Sequence, residues 1–269
     1  MKELGLYSPE TIVWKIHSDP SMAVGGIRAL LEQALHPIAM AGVATHSNFR
    51  DDAWGRLQRT GDYVSTITFG EVDEAEKLAA RVRAIHTKLG LDDPHHLLWV
   101  HMAMVDSFLD SAVRSGLDLS EHEQNLYVYQ MRTFAELVGI PGDDVPISLQ
   151  ELKDYFHTIS PELYASDDAK RAALFRSIPP MPKMVRFATP AAPAWATLAT
   201  LAASSLPAWA RKLYGWPNLP GAQLATTIAL RTTRTTLSLI PTAIMEPPLL
   251  KKARSRWSLE ESHPILSQK

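Results

Sequence analysis

Two short stretches carry the residue types that could do chemistry. In residues 54–63 (WGRLQRTGDY), Arg56, Arg59, Thr60 and Tyr63 recur at spacings of three and four, which sets them on one stripe of a helix. Two arginines so placed repel unless an anion lies between them, and a pair of carboxylates would satisfy both guanidinium forks. In residues 97–108 a lone histidine, His101, shares a helical face with Leu97, Leu98, Met104, Val105 and Phe108. A neutral imidazole on a rigid apolar wall is what a haem iron requires of its protein ligand. A cofactor both anionic and iron-bearing would use the two stretches together, and haem, with its propionates, is the natural candidate. Each stretch also has a plainer reading. The arginines form a solvated basic face if Asp51, Asp52 and Asp62 neutralise them, and His101 is a core residue if its neighbours satisfy it.

Other chemistry is thinner. The chain has no cysteine, which removes disulfides, thiolate ligation and iron–sulfur clusters, so histidine must carry any metal chemistry. A non-haem site from His36, His46 and His101 is conceivable, but the usual His-x-x-x-His spacing is missing. His95 and His96 fall in the first turn after Pro94, where exposure is expected. No Gly-rich phosphate loop or Gly-x-Ser-x-Gly elbow is present. A net charge of -2 gives no global reason to bind nucleic acid.

The elements that must position these residues read as helices. Apolar residues recur at three and four, and 46% apolar with 21% charged residues is a globular balance. Asp51 and Asp52 are N-cap candidates for the arginine helix, which Phe69-Gly70 ends. A charged helix over 73–89 stops at Gly90. Asp93-Pro94 opens the His101 helix, which runs to about residue 115. Further helices are expected over 121–138, 148–157, 167–177 and 221–239. The small residues of 38–44 would let another backbone or a flat ligand approach closely. The uncharged stretch 190–210 contains Pro190, Pro193 and Pro207, so it reads as a buried or surface-docking helix rather than a membrane span. Peripheral membrane contact is kept as the lesser option there. The composition predicts one all-α domain over 1–245 and a polar, extended tail over 246–269. The N-terminus shows no secretory signal pattern, and the cytoplasm is the default location.

His36-Pro37, residues 49–60 (FRDDAWGRLQRT), Trp99-Val100-His101 and Val105-Asp106-Ser107-Phe108 resemble the rubber oxygenase family. That family includes the latex-clearing proteins and the oxygenase that cleaves a farnesyl chain in mycophenolic acid biosynthesis. The resemblance spans about residues 20–240. It implies an all-α fold with a globin-like core around haem b, a histidine as the proximal ligand, and an Arg-x-x-Lys-Thr motif on the distal side. Arg56 and Thr60 match that motif, and His101 matches the ligand. Arg59 stands where the lysine would be, and a guanidinium stays protonated and cannot ligate iron. Between Ala34 and Arg50 there is no Asp or Glu, so the distal glutamate of the latex-clearing branch has no counterpart there.

The resulting expectation is a haem b-dependent oxygenase, an oxidoreductase using dioxygen on a carbon–carbon double bond of an apolar small molecule. Arg56, Arg59 and Thr60 would serve the reaction, with His101 as metal ligand and Arg56, Arg59 and Tyr63 near the cofactor. The residues around 35–45 and near Trp195 would wall an apolar tunnel. Two other readings stand beside it. One is a non-catalytic binder of haem or a lipid-like molecule; the other is a haem-free helical enzyme using the arginine cluster on an anionic substrate.

Overall fold

The computed structural model describes residues 4–46, 53–174, 181, 183–189, 191–241 and 246–262. Among them every regular element is helical. In chain order these are α1 (Ile12–His17), α2 (Met22–Gln33), α3 (Pro37–His46), α4 (Ala53–Phe69) and α5 (Val72–Leu89). Then come α6 (Pro94–Arg114), α7 (Glu121–Gln130), α8 (Arg132–Val138), α9 (Leu149–Ile159) and α10 (Asp167–Ala173). The last are α11 (Lys183–Ala188), α12 (Ala191–Ser205), α13 (Ala208–Leu213), α14 (Ala222–Ser238) and α15 (Pro248–Ser262).

Local chemistry sets the boundaries of the helices that matter. Asp93 caps α6 by accepting the His95 N–H, with Pro94 in the first turn, where its missing N–H costs nothing. Gly90 and Gly139 adopt the left-handed conformation that stops α5 and α8. The single helix expected over 121–138 is in fact two, α7 and α8, separated at Met131. Asp51 and Asp52, the expected caps of α4, lie outside the described residues.

The chain is organised around α6. It packs along α2 and also touches α1, α3, α7, α8 and α14. Its apolar residues feed two cores. Met102, Met104, Val105, Phe108 and Leu109 face α1, α4, α5, α7 and α8, while Trp99 and Ala103 join α2, α3, α10, α12 and α13. Trp99 is fully buried, and its indole N–H donates to the Gln33 carbonyl at 2.9 Å, locking α6 against the end of α2.

Two expectations about the periphery change. The tail expected to be extended forms α15, whose Leu250 and Ala253 pack with Trp14 and Phe69 as a third small core. Sequence patterning missed it because only one narrow stripe of that helix is apolar. The small residues of α3 receive the Leu91 side chain rather than a ligand. A β-carbon at Gly42 would stand 2.6 Å from Leu91 Cδ2. Residues 191–205 form α12, half-buried through Ala199, Leu201, Ala202 and Ala203. No helix among the described residues is long and apolar enough to cross a membrane.

Candidate functional site

Helices α2, α4 and α6, closed by α15, enclose a cavity of about 550 Å³, within the ordinary range for small-molecule pockets. Its floor is Gly26, Ala29 and Leu30 of α2 with Met104 and Phe108 of α6. Leu57, Thr60, Gly61 and Val64 of α4 form one wall, and Leu250 of α15 caps it. The charged groups at its edge are paired with each other. Arg234 clasps Asp19 with bonds of 2.9 and 3.0 Å from Nε, and Glu246 pairs with Arg254. What remains is an apolar interior.

This cavity is distinct from the tunnel expected between residues 35–45 and Trp195. None of the residues lining this cavity comes from α3 or α12. Trp195 instead packs edge-on against Trp54, with ring centroids 6.2 Å apart.

Two buried histidines flank the cavity's helices, and they differ in one decisive respect. His17, which lines the cavity, has both ring nitrogens engaged. Thr68 Oγ1 donates to the Val64 carbonyl, so it accepts from His17 Nδ1 at 2.8 Å, and Nε2 must then accept from the Tyr127 hydroxyl at 3.1 Å. His101 lies one turn before Met104 on the same α6 stripe and is 4% exposed. Its hydrogen-bond contact is with the Met131 backbone, and its Nε2 is buried with no partner. Met131 stands at the break between α7 and α8. Burial lowers both imidazoles to a pKa of about 3, so both rings are neutral at physiological pH.

A buried, neutral imidazole whose Nε2 lacks a partner has the donor chemistry of a metal ligand. An orphaned buried acceptor costs about 1–3 kcal/mol. His101 fits a haem iron on that ground. His17 does not, because Tyr127 already occupies its Nε2.

The four α4 residues singled out in the sequence, Arg56, Arg59, Thr60 and Tyr63, do not share one environment. Thr60 lines the cavity, but its hydroxyl donates back to the Arg56 carbonyl at 3.0 Å. It can offer a ligand only its lone pairs, not the donated bond expected of it. Arg56 and Arg59 do come together. Burial, and then the neighbouring Arg59 charge, lower the Arg56 pKa. Neither lines the cavity. Tyr63 turns toward α8, its ring 5.6 Å from Phe134, and its buried hydroxyl has no partner. Phe134 is also 6.0 Å from the His101 ring. Two orphaned polar atoms, Tyr63 OH and His101 Nε2, thus flank one aromatic ring.

Sequence reasoning missed His17 and the second histidine grouping. His36 does not join His101. It meets His95, His96 and Glu162 at the far end of α6, with Glu162 Oε2 3.4 Å from His36 Nε2 and 2.9 Å from His95 Nε2. The side chain of His46 lies outside the described residues.

The cavity reaches α6 at Met104, one turn from His101, which is not among its lining residues. The family model described as "ER-bound oxygenase mpaB/B'/Rubber oxygenase, catalytic domain" matches residues 14–238, and the chain belongs to that family. No curated protein and no solved structure matches it. The matched region ends at α14, so α15, which closes the cavity, lies beyond it.

Proposed function

We propose that the protein is a haem b-dependent oxygenase that attacks a carbon–carbon double bond of an apolar small molecule. The observation that carries this reading is the unpartnered Nε2 of His101 in the core of an oxygenase catalytic domain. Haem b, when bound, supplies the oxygen-activating chemistry. His101 would hold the iron through Nε2, with its contact to the Met131 backbone orienting the ring.

Arg56 and Arg59 would anchor the propionates, which would relieve their mutual repulsion. Neither arginine can take the distal iron position, because a guanidinium keeps its protons. Thr60 would orient a polar group at the cavity wall through its lone pairs. Tyr63, beside Phe134, has an unused hydroxyl available to the cofactor's edge. The cavity's apolar floor would accept a hydrocarbon segment and exclude water from it.

An absorption spectrum of protein from haem-supplemented cells, with a pyridine haemochrome titration, tests the reading. About one haem per chain supports it. A protein that stays colourless and takes up no hemin overturns it. Attention would then move to the arginine pair as an anion site.

A further inference from the structure

Three side chains far apart in sequence meet at the α2–α3 corner. His36 caps that corner, His95 stands in the first turn of α6, and Glu162 ends the 3-10 turn Ser160–Glu162. One donor atom from each lies within 4.8 Å of the other two. The meeting is built by the backbone. The Tyr164 N–H donates to the Leu35 carbonyl at 2.9 Å, tying the Glu162 segment to the corner. The Trp99 indole ties α6 to Gln33 on the same side.

We propose that His36, His95 and Glu162 form a zinc site, with water in the fourth position. Two imidazoles and a carboxylate are a donor set zinc accepts without a thiolate, and bonds of about 2.0–2.1 Å in a tetrahedron set the donors roughly 3.4 Å apart. Of the observed separations from Glu162 Oε2, 3.4 Å to His36 Nε2 matches that spacing, and 2.9 Å to His95 Nε2 is a hydrogen-bond distance that an ion would widen. Burial lowers the pKa of His36, which keeps its ring neutral and available for coordination. Its Nδ1 now accepts the Ala39 N–H at 3.4 Å, so the proton rests on Nε2 and points at Glu162. Zinc would take the Nε2 lone pair and leave the ring proton on Nδ1. The cost is one long capping bond at the start of α3. The ion would staple together α3, α6 and the Glu162 turn, none of which contributes a metal ligand elsewhere except α6 through His101.

Zinc titration of the chelator-treated full-length protein, followed by calorimetry at mildly alkaline pH, tests the site. The expected result is one zinc per chain, weakened about tenfold or more in both Glu162→Gln and His95→Ala, and unchanged in His101→Ala. His95 and Glu162 are exposed, so both variants should melt as the wild type does without metal. Cobalt in place of zinc should give the visible spectrum of a tetrahedral ion. Absence of saturable uptake, or uptake that survives both substitutions, overturns the site. Because His101 is not a ligand here, failure of this test leaves the haem reading standing, and loss of haem leaves this one standing.

Discussion

Helices α2 and α6 pack side by side, and the two sides of that pair are opposite in character. One side is the apolar cavity, floored by Gly26, Ala29, Leu30, Met104 and Phe108. The other holds one of the most heavily charged buried clusters in the protein. Arg28 donates to Glu32 and Ser107 at 2.8 and 2.7 Å and pairs with Asp106 at 2.8 Å, while Asp110 faces its charge at 3.5 Å and that of Arg114 at 3.7 Å. Residues 28 and 32 fall on the opposite face of α2 from 26, 29, 30 and 33, so a single helix serves both. The charged side fixes the register of the pair, and the apolar side is left free to hold a ligand. Interactions that specify geometry and surfaces that bind are kept apart on the same two helices.

Breaking the charged side should have the largest effect. Arg28→Leu strands Asp106 and Asp110 around a lost cation and leaves Glu32 without its donor, and unfolding by denaturant should show a loss of about 3–5 kcal/mol. A change below 1 kcal/mol would mean that the cluster does not fix the pair. The cavity side should be sensitive to acid instead. His17 and His101 are held neutral in the fold, and an unfolded chain protonates them near pH 6.5. Their folded pKa is depressed, so stability is lost as pH falls below about 6.5 toward 3, by up to about 1.4 kcal/mol per pH unit for each group. Melting of the ligand-free protein between neutral and mildly acidic pH measures that slope. His101→Ala should reduce it by about half.

His17→Ala is a narrower cut. It leaves the Tyr127 hydroxyl without its acceptor, with an expected cost of about 1–3 kcal/mol, while Thr68 keeps its bond to Val64. The smallest change is expected from Glu32→Gln. Burial, only partly offset by Arg28, raises the Glu32 pKa, so the folded protein retains a proton that the unfolded chain releases above about pH 4.5. The glutamine variant should match the wild type at acidic pH. It should gain on it by on the order of 1 kcal/mol as pH rises toward 6. A destabilised glutamine variant at neutral pH would show that Glu32 is folded as a carboxylate.

Much of this frame was legible in the sequence, for local reasons. The Asp93-Pro94 start, the Gly90 and Gly139 stops and the apolar stripe through His101 are short-range signals, and α5 and α6 form where they predict. The pairing of Arg56 with Arg59 follows from helical spacing alone. Contacts that depend on tertiary packing were not legible. The Met131 backbone meets His101 only because α7 and α8 break there. Tyr63 turns away from the cavity because Phe134 of α8 offers it an edge. His36, His95 and Glu162 are separated by 59 and 67 positions or more, and no spacing rule spans such intervals. The Arg28 network was equally hidden, since Arg28 and Glu32 read as an ordinary surface i,i+4 pair until α6 covers them.

The central claim is that, between the buried imidazoles of His17 and His101, the one with the orphaned nitrogen holds the cofactor. Haem stoichiometry by pyridine haemochrome, measured side by side for the wild type, His101→Ala and His17→Gln, tests it most directly. Glutamine can still bond Thr68 and Tyr127, so His17→Gln should keep the fold and its haem. The wild type and His17→Gln should each carry about one haem per chain, and His101→Ala should lose its Soret band. Stoichiometric haem with a normal Soret band in His101→Ala, or haem loss that follows His17 instead, would contradict the account.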